Sequence, residues 1–170
     1  MIPVAVASLA AIAIQPLVLA VWLGVPIYLA GESVPAREVI GMAGLVTMVA
    51  TGFVLAIGIP TFLILRHRNR ATAVALGTAG FLVAALPFAA LGWPGNSFPG
   101  SSSGGSWHGG HVEFVVNGVV TGYGWLNYVE GTLIYGIHGL VGALTFLFVW
   151  RRLSGPNKRI ERSRGAASMK

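Results

Sequence analysis

The chain has no cysteine and no aspartate, and only 9% of its 170 residues are charged. Without cysteine it can form no disulfide, thiol nucleophile or thiolate metal site. Soluble domains carry about 25% charged residues, so this composition does not suit a protein that faces water on every side. The sequence also lacks a glycine-rich phosphate loop with its lysine and a nucleophile elbow. We therefore expect no enzyme and no catalytic constellation.

The chain is rich in long apolar runs. Hydrophobic residues make up 55% of the chain. Four runs without Asp, Glu, Lys or Arg reach the length of about 18 residues that a helix needs to cross a bilayer. They cover residues 4–29, 39–65, 71–93 and 132–150. The sequence predicts an all-α membrane protein, in which residues 1–153 form a bundle of four transmembrane helices and residues 154–170 form a basic tail.

The first apolar run has to be distinguished from a secretory signal. A signal begins with a basic region and continues with a short apolar region, whereas the opening MIPVAVASLA carries no charged side chain and the run after it is long. We therefore predict a transmembrane helix. Cleavage among the small residues at 5–13 is the alternative.

The positions of the charges predict an orientation. Ten of the eleven basic residues fall on one side of a four-span arrangement, and only Arg37 falls on the other. The ten are Arg66, Arg68, Arg70, Arg151, Arg152, Lys158, Arg159, Arg162, Arg164 and Lys170. Because short basic loops stay in the cytoplasm, both termini and the 66–70 loop are expected to be cytoplasmic, in a bacterial inner membrane. The net charge of +6 then indicates membrane lipids as partners and not nucleic acid, for which no motif is present.

Small residues predict close packing between the helices. They recur four residues apart, the spacing at which membrane helices approach each other. The pairs are Gly52 and Ala56, Gly80 and Ala84, and Gly139 and Ala143. In the fourth span a stripe of small and polar residues shares one helical face. It consists of Tyr135, His138, Gly142 and Thr145. These faces are expected to turn towards the other helices.

The external segment 94–130 begins with a glycine- and serine-rich stretch that predicts a flexible tether. It continues with a predicted β-hairpin over about 111–124, because Asn117–Gly118 is a strong turn signal between alternating apolar residues. The expected pairs are Val116 with Val119, Phe114 with Thr121, and Val112 with Tyr123. Since a lone hairpin is marginally stable in water, its apolar face should be covered by the bundle, the membrane interface or another protein. Phe114, Val116, Val119 and Tyr123 are the predicted partner-binding residues.

Three side chains near the start of the hairpin form a candidate metal site. His111 and Glu113 are two apart on a strand and project from one face, and His108 could fold back through Gly109–Gly110. Two imidazoles and a carboxylate suit zinc or copper. The alternative is a glycine-flanked loop whose histidines bond to water or backbone, since the chain offers no evident fourth ligand.

His138 is the second candidate, because an ionisable residue inside a membrane helix suggests function. It could bind haem, take a proton from a quinol or belong to a proton relay. The chain offers no second imidazole at the same depth for a bis-histidine haem. The alternative is a neutral histidine hydrogen-bonded to a neighbouring helix. Glu130 is expected to cap the start of the fourth helix.

The sequence supports three functional hypotheses. The first is a small membrane protein that binds another membrane or extracytoplasmic protein, as an accessory subunit or an immunity-type binder, with no cofactor. The second is a redox or ion-handling subunit that uses His138 as a cofactor ligand, with or without a divalent metal at His108, His111 and Glu113. The third is a channel or carrier for neutral solutes, because no span core contains Asp, Glu, Lys or Arg.

Overall fold

The computed structural model describes residues 2–29, 31, 34–96 and 98–155. It is mostly helical, with four helices long and apolar enough to cross a membrane and one small three-stranded sheet. The helices are α1 (Ile2–Leu29), α2 (Ala36–His67), α3 (Ala73–Leu91) and α4 (Gly122–Ser154). The strands are β1 (Ser103–Trp107), β2 (Gly110–Val116) and β3 (Val119–Val120). This architecture confirms the four predicted apolar helices and is compatible with a helical membrane protein. The predicted basic tail lies outside the described residues beyond Gly155.

Both α1 and α2 contain one π-helical turn, and each turn ends two residues before a proline. The turns are Ala20–Gly24, which precedes Pro26, and Val54–Gly58, which precedes Pro60. Proline lacks an amide hydrogen and its ring clashes with the carbonyl four residues earlier, so a widened turn relieves the clash. From the positions of the prolines, the sequence predicts kinks near Pro60 and at Pro16. The helix is interrupted before Pro60, whereas at Pro16 the α-helical pattern continues.

The hairpin prediction is confirmed at the turn and wrong beyond it. Asn117 and Gly118 both have positive φ, 50° and 81°, and the two flanking strands pair in the expected register, with Val116 opposite Val119. Beyond Val120 the chain turns into α4, because the Thr121 side chain caps the helix by accepting a hydrogen bond from the Gly124 amide at 3.1 Å. The predicted pairing of residues 121–124 as a strand therefore does not form.

A further strand, β1, lies where the sequence predicted a flexible tether. It runs antiparallel to β2, with Ser106 opposite His111 and Trp107 opposite Gly110. The turn between them is His108–Gly109, whose φ values of 48° and 81° resemble those of the Asn117–Gly118 turn. Two similar tight turns therefore produce a three-stranded meander, and this sheet packs against the first turns of α4.

The closest helix–helix contact is between α3 and α4. A Cβ atom added to Gly80 would lie 2.5 Å from the Gly139 carbonyl oxygen and 2.6 Å from the Ala143 Cβ. A Cβ atom on Gly139 would collide with the Gly80 carbonyl oxygen and lie 2.7 Å from the Ala84 Cβ. Only residues without a Cβ at both positions allow this approach, as the small-residue spacing suggested.

Helix α2 packs least. Its most apolar window is 6% buried, against 22% for α1 and for α4. Phe62 anchors it, with 1% exposure and with edge-on contacts to the Phe146 and Trp150 rings at 4.8 and 5.0 Å. Gly52 would meet nothing within 4 Å if it carried a Cβ, and Ala56 is exposed. The expectation that this pair faces the other helices is therefore wrong for the single chain.

Candidate functional site

The four helices surround a cavity of about 750 Å³ that is partly open to the outside of the bundle. Residues from all four helices line it, and most of these side chains are aliphatic or aromatic. The space exists because α2 meets α1 and the end of α4 but leaves the middle of the bundle unfilled. Small-molecule sites typically have volumes of about 300–1,000 Å³, apolar walls and a few polar groups. The cavity fits that description.

Among the described residues that line the cavity, five have polar side chains: Gln15, Trp22, Thr61, Tyr135 and His138. None of these described lining residues is Asp, Glu, Lys or Arg. An interior of this kind favours a neutral and largely apolar molecule, because an unpaired charge brought into it would lose its hydration without compensation. The polar atoms therefore act by hydrogen bonding.

Gln15 is the best-connected polar side chain in the bundle. It is 7% exposed, and its Nε2 donates to the carbonyl oxygens of Ala11 and His138, both at 3.2 Å. Its Oε1 lies 2.8 Å from the His138 Nδ1. A Cβ on Gly142 would stand 2.7 Å from this Nε2, so the glycine that was predicted to pack helices makes room for the glutamine.

This network determines which nitrogen of neutral His138 carries the proton. If the Gln15 amide were flipped, its oxygen would face two carbonyl oxygens, so the amide nitrogen must occupy that position. The Gln15 Oε1 then requires a donor, and His138 Nδ1–H supplies it. Neutral His138 therefore carries no proton on Nε2, and this nitrogen is an acceptor. Nε2 has no hydrogen-bond partner among residues 2–29, 31, 34–96 and 98–155, and the half-buried side chain lines the cavity.

Both π-helical turns contribute to the same cavity. Trp22 and Leu23 come from the turn in α1, and Val54 and Gly58 come from the turn in α2. Widened turns of this kind occur often at functional sites, where they redirect side chains that a regular helix would place elsewhere. The two turns therefore accommodate the prolines and also place residues in the cavity lining.

The predicted metal ligands do not come together. His111 and Glu113 lie exposed on β2, while His108 in the turn bonds through Nε2 to the Glu130 Oε2 at 3.1 Å. The indole Nε1 of Trp107 donates to the same oxygen at 2.7 Å. In the described part of the chain, no three His, Asp or Glu side chains are grouped so that they could hold a metal ion. Glu130, expected as a helix cap, lies inside α4 and ties the sheet to it.

The predicted partner-binding face is divided. Val119 and Tyr123 are 69% and 50% exposed. Phe114 and Val116 are half-buried, and the Phe114 carbonyl lies so close to Gly124 that a Cβ there would collide with it. The early start of α4 causes this division, because Tyr123 is on a helix and not on the strand opposite Val112.

Gln15 is the site residue that the sequence reasoning missed. It is the single glutamine of the chain and stands in a long apolar run, and a strongly polar amide at such a position was a usable signal. Comparison of the chain with protein family models, characterised proteins and solved structures gives no match.

Proposed function

We propose that this protein is an integral membrane protein that binds a neutral, largely apolar molecule inside its helix bundle. The observation that carries the proposal is the His138 Nε2, which has no hydrogen-bond partner among the described residues and belongs to a side chain that lines the apolar cavity of about 750 Å³. A cavity of this size and composition would bury most of a small apolar ligand, and the acceptor nitrogen would fix the orientation of its polar end.

The orientation of Gln15 narrows the class of ligand. Because His138 Nδ1–H is held by the Gln15 Oε1, the nitrogen left for the ligand is an acceptor, and the ligand must present a donor. A hydroxyl on an apolar skeleton meets this requirement. Quinols, phenols and isoprenoid alcohols belong to this class, whereas an apolar ester or ketone offers only acceptors. A quinol would connect the site to the redox role considered for His138.

The experiment uses two histidine variants of the protein purified in mild detergent. In His138→Asn the side-chain amide can take over the hydrogen bond from Nδ1 to Gln15, while the acceptor at the Nε2 position is lost. In His67→Asn an exposed histidine at the far end of α2 changes in the same way. Mass spectrometry of organic extracts would identify the bound molecule.

We expect a hydroxyl-bearing apolar molecule to co-purify with the wild type and with His67→Asn, and to be depleted about tenfold in His138→Asn. Equal amounts in all three proteins would refute the proposed role of Nε2. If the wild type showed a haem absorption band that His138→Asn lacked, the bound molecule would be an iron porphyrin and not a hydroxyl-bearing one.

The charge distribution supports an inner-membrane location with both termini in the cytoplasm. Arg66, Arg68, Arg70, Arg151 and Arg152 gather at one end of the bundle, and the basic tail would follow them. On this proposal, a cysteine introduced at Asn117 reacts with an impermeant maleimide in intact cells, and one introduced at Asn69 does not. Labelling of both positions from the same side would refute the topology.

A second candidate function, partner binding as an accessory subunit, is favoured by the outer surface of α2. Gly41, Gly44 and Gly52 are exposed, and nothing lies within 4 Å of a Cβ built on any of them. Glycines let another membrane helix approach closely and contribute little to contacts with lipid. Gly44→Ile combined with Gly52→Ile should abolish co-purification of a partner membrane protein. If Val119→Ala with Tyr123→Ala abolished it instead, the partner would bind the exposed residues at the external sheet.

A further inference from the structure

A second, open groove of about 400 Å³ lies between the start of α3 and the end of α4. Six residues line it: Ala73, Leu144, Leu147, Phe148, Arg151 and Arg152. The first four provide an apolar floor, and the two arginines stand together at one end. From Leu144 to Arg151 the groove extends about 10 Å along α4 at a rise of about 1.5 Å per residue.

Both guanidinium groups contact other described residues, and neither of these contacts is with a carboxylate. Arg151 Nη2 donates to the Ala71 carbonyl oxygen at 3.3 Å, and the Arg152 Cζ lies 5.3 Å from the centre of the Phe148 ring. A guanidinium has five N–H donors, so each arginine keeps several for a ligand. Within the described ranges, the one ion pair is that of His108 with Glu130, and neither arginine has a carboxylate partner.

The surroundings of the groove are positive as well. The 68–72 loop that leads into α3 carries Arg68 and Arg70, and Arg66 lies 5.3 Å from the centre of the Trp150 ring on α4. The carboxylates that the structure describes are Glu38, Glu113 and Glu130, on the first turn of α2, on β2 and on the α4 segment beneath the sheet. All three belong to the other end of the bundle, so the groove attracts an anion.

We propose that this groove binds an anionic phospholipid, with the phosphodiester on Arg151 and Arg152 and one acyl chain along Leu144 and Phe148. Basic pockets between membrane helices bind such head groups, and the apolar floor continues away from the arginines in the direction that an acyl chain would take. A free phosphate would use the arginines and leave the apolar floor bare. The inference rests on the proposed membrane location but not on the ligand of the central cavity.

The test is native mass spectrometry of the whole protein in detergent, titrated with phosphatidylglycerol and, separately, with zwitterionic phosphatidylcholine of the same chain length. Arg151→Gln with Arg152→Gln removes two charges from the groove. Arg68→Gln with Arg70→Gln removes the same charge from exposed loop positions at the same end. Ala73→Trp keeps both arginines and fills the apolar floor, so it tests the acyl-chain contact even if the double arginine variant folds poorly.

We expect phosphatidylglycerol to bind the wild type at least tenfold more tightly than phosphatidylcholine. The groove variant should lose about 25-fold, since it removes two basic residues and each one near a head group contributes roughly a fivefold preference. Ala73→Trp should also weaken binding. The loop variant should lose no more than about threefold, because Arg68 and Arg70 add to the positive field around the groove without lining it. An equal loss in the loop variant would show a diffuse electrostatic effect and overturn the site. The proposed lipid site would also be overturned by unchanged binding in Ala73→Trp, or by displacement of the lipid by inorganic phosphate at matched ionic strength.

Discussion

Replacing Gln15 by methionine tests the link between the buried network and ligand binding. Methionine has nearly the same length and volume and no amide, so the change removes hydrogen bonds while leaving little empty space. Two of the lost bonds cross from α1 to α4, to Nδ1 and to the carbonyl oxygen of His138. The third, to the Ala11 carbonyl oxygen, lies within α1.

The interhelical bonds set the expected loss of stability. Hydrogen bonds between membrane helices contribute about 0.6 kcal/mol each on average, so two contribute about 1.2 kcal/mol. The His138 Nδ1–H left without a partner adds up to about 1 kcal/mol. We expect a loss of about 1–2 kcal/mol, which changes the ratio of folded to unfolded protein by a factor of about 5–30. The fold survives this loss.

The effect on the site should be larger than the effect on the fold. Without Gln15, the imidazole is free to move its proton to Nε2, and the acceptor that faces the ligand becomes a donor. The assay combines unfolding in detergent with extraction of the bound molecule. Ser8→Ala is the matched control, because buried Ser8 donates only within α1, to the Val4 carbonyl oxygen at 2.9 Å. If Gln15→Met kept both the stability and the ligand content of Ser8→Ala, Gln15 would not hold the His138 proton on Nδ1 as proposed.

Two further predictions concern the framework of the site. Gly139→Ala should destabilise the bundle by about 1–3 kcal/mol, because the new Cβ collides with Gly80. The Cβ of Gly52→Ala meets no atom within 4 Å, so this control variant should stabilise α2 by up to about 1 kcal/mol. Equal shifts of the two variants in thermal unfolding would contradict the close contact between α3 and α4. Glu130→Ala should remove the hydrogen bond to Trp107 and accelerate amide hydrogen exchange in β1. The Glu113 carboxylate has no hydrogen bond within the described ranges, so Glu113→Ala should leave that exchange unchanged.

The hydrophobic spans could be predicted from the sequence because their signal is local and additive. An apolar run without charges has few alternatives to a long helix, and the four observed helices contain most of the predicted ranges. The Asn117–Gly118 turn could be predicted equally well, since the two residues that accept positive φ are adjacent in the sequence. The ends of the helices were harder to predict from the sequence. The strand signal of residues 121–124 and the cap at Thr121 compete for the same residues, and the contact of Gly124 with Phe114 favours the helix.

Composition and neighbouring residues are sufficient to specify four long apolar helices, a basic end and a tight turn in this chain. Three contacts arise only in the folded chain. Gln15 bonds to His138 across 123 positions of the chain, β1 pairs with β2, and Glu130 accepts a hydrogen bond from Trp107. These contacts depend on how closely glycines let the helices approach and on how the sheet rests on α4. Such geometry follows from packing between distant segments, and no local pattern encodes it.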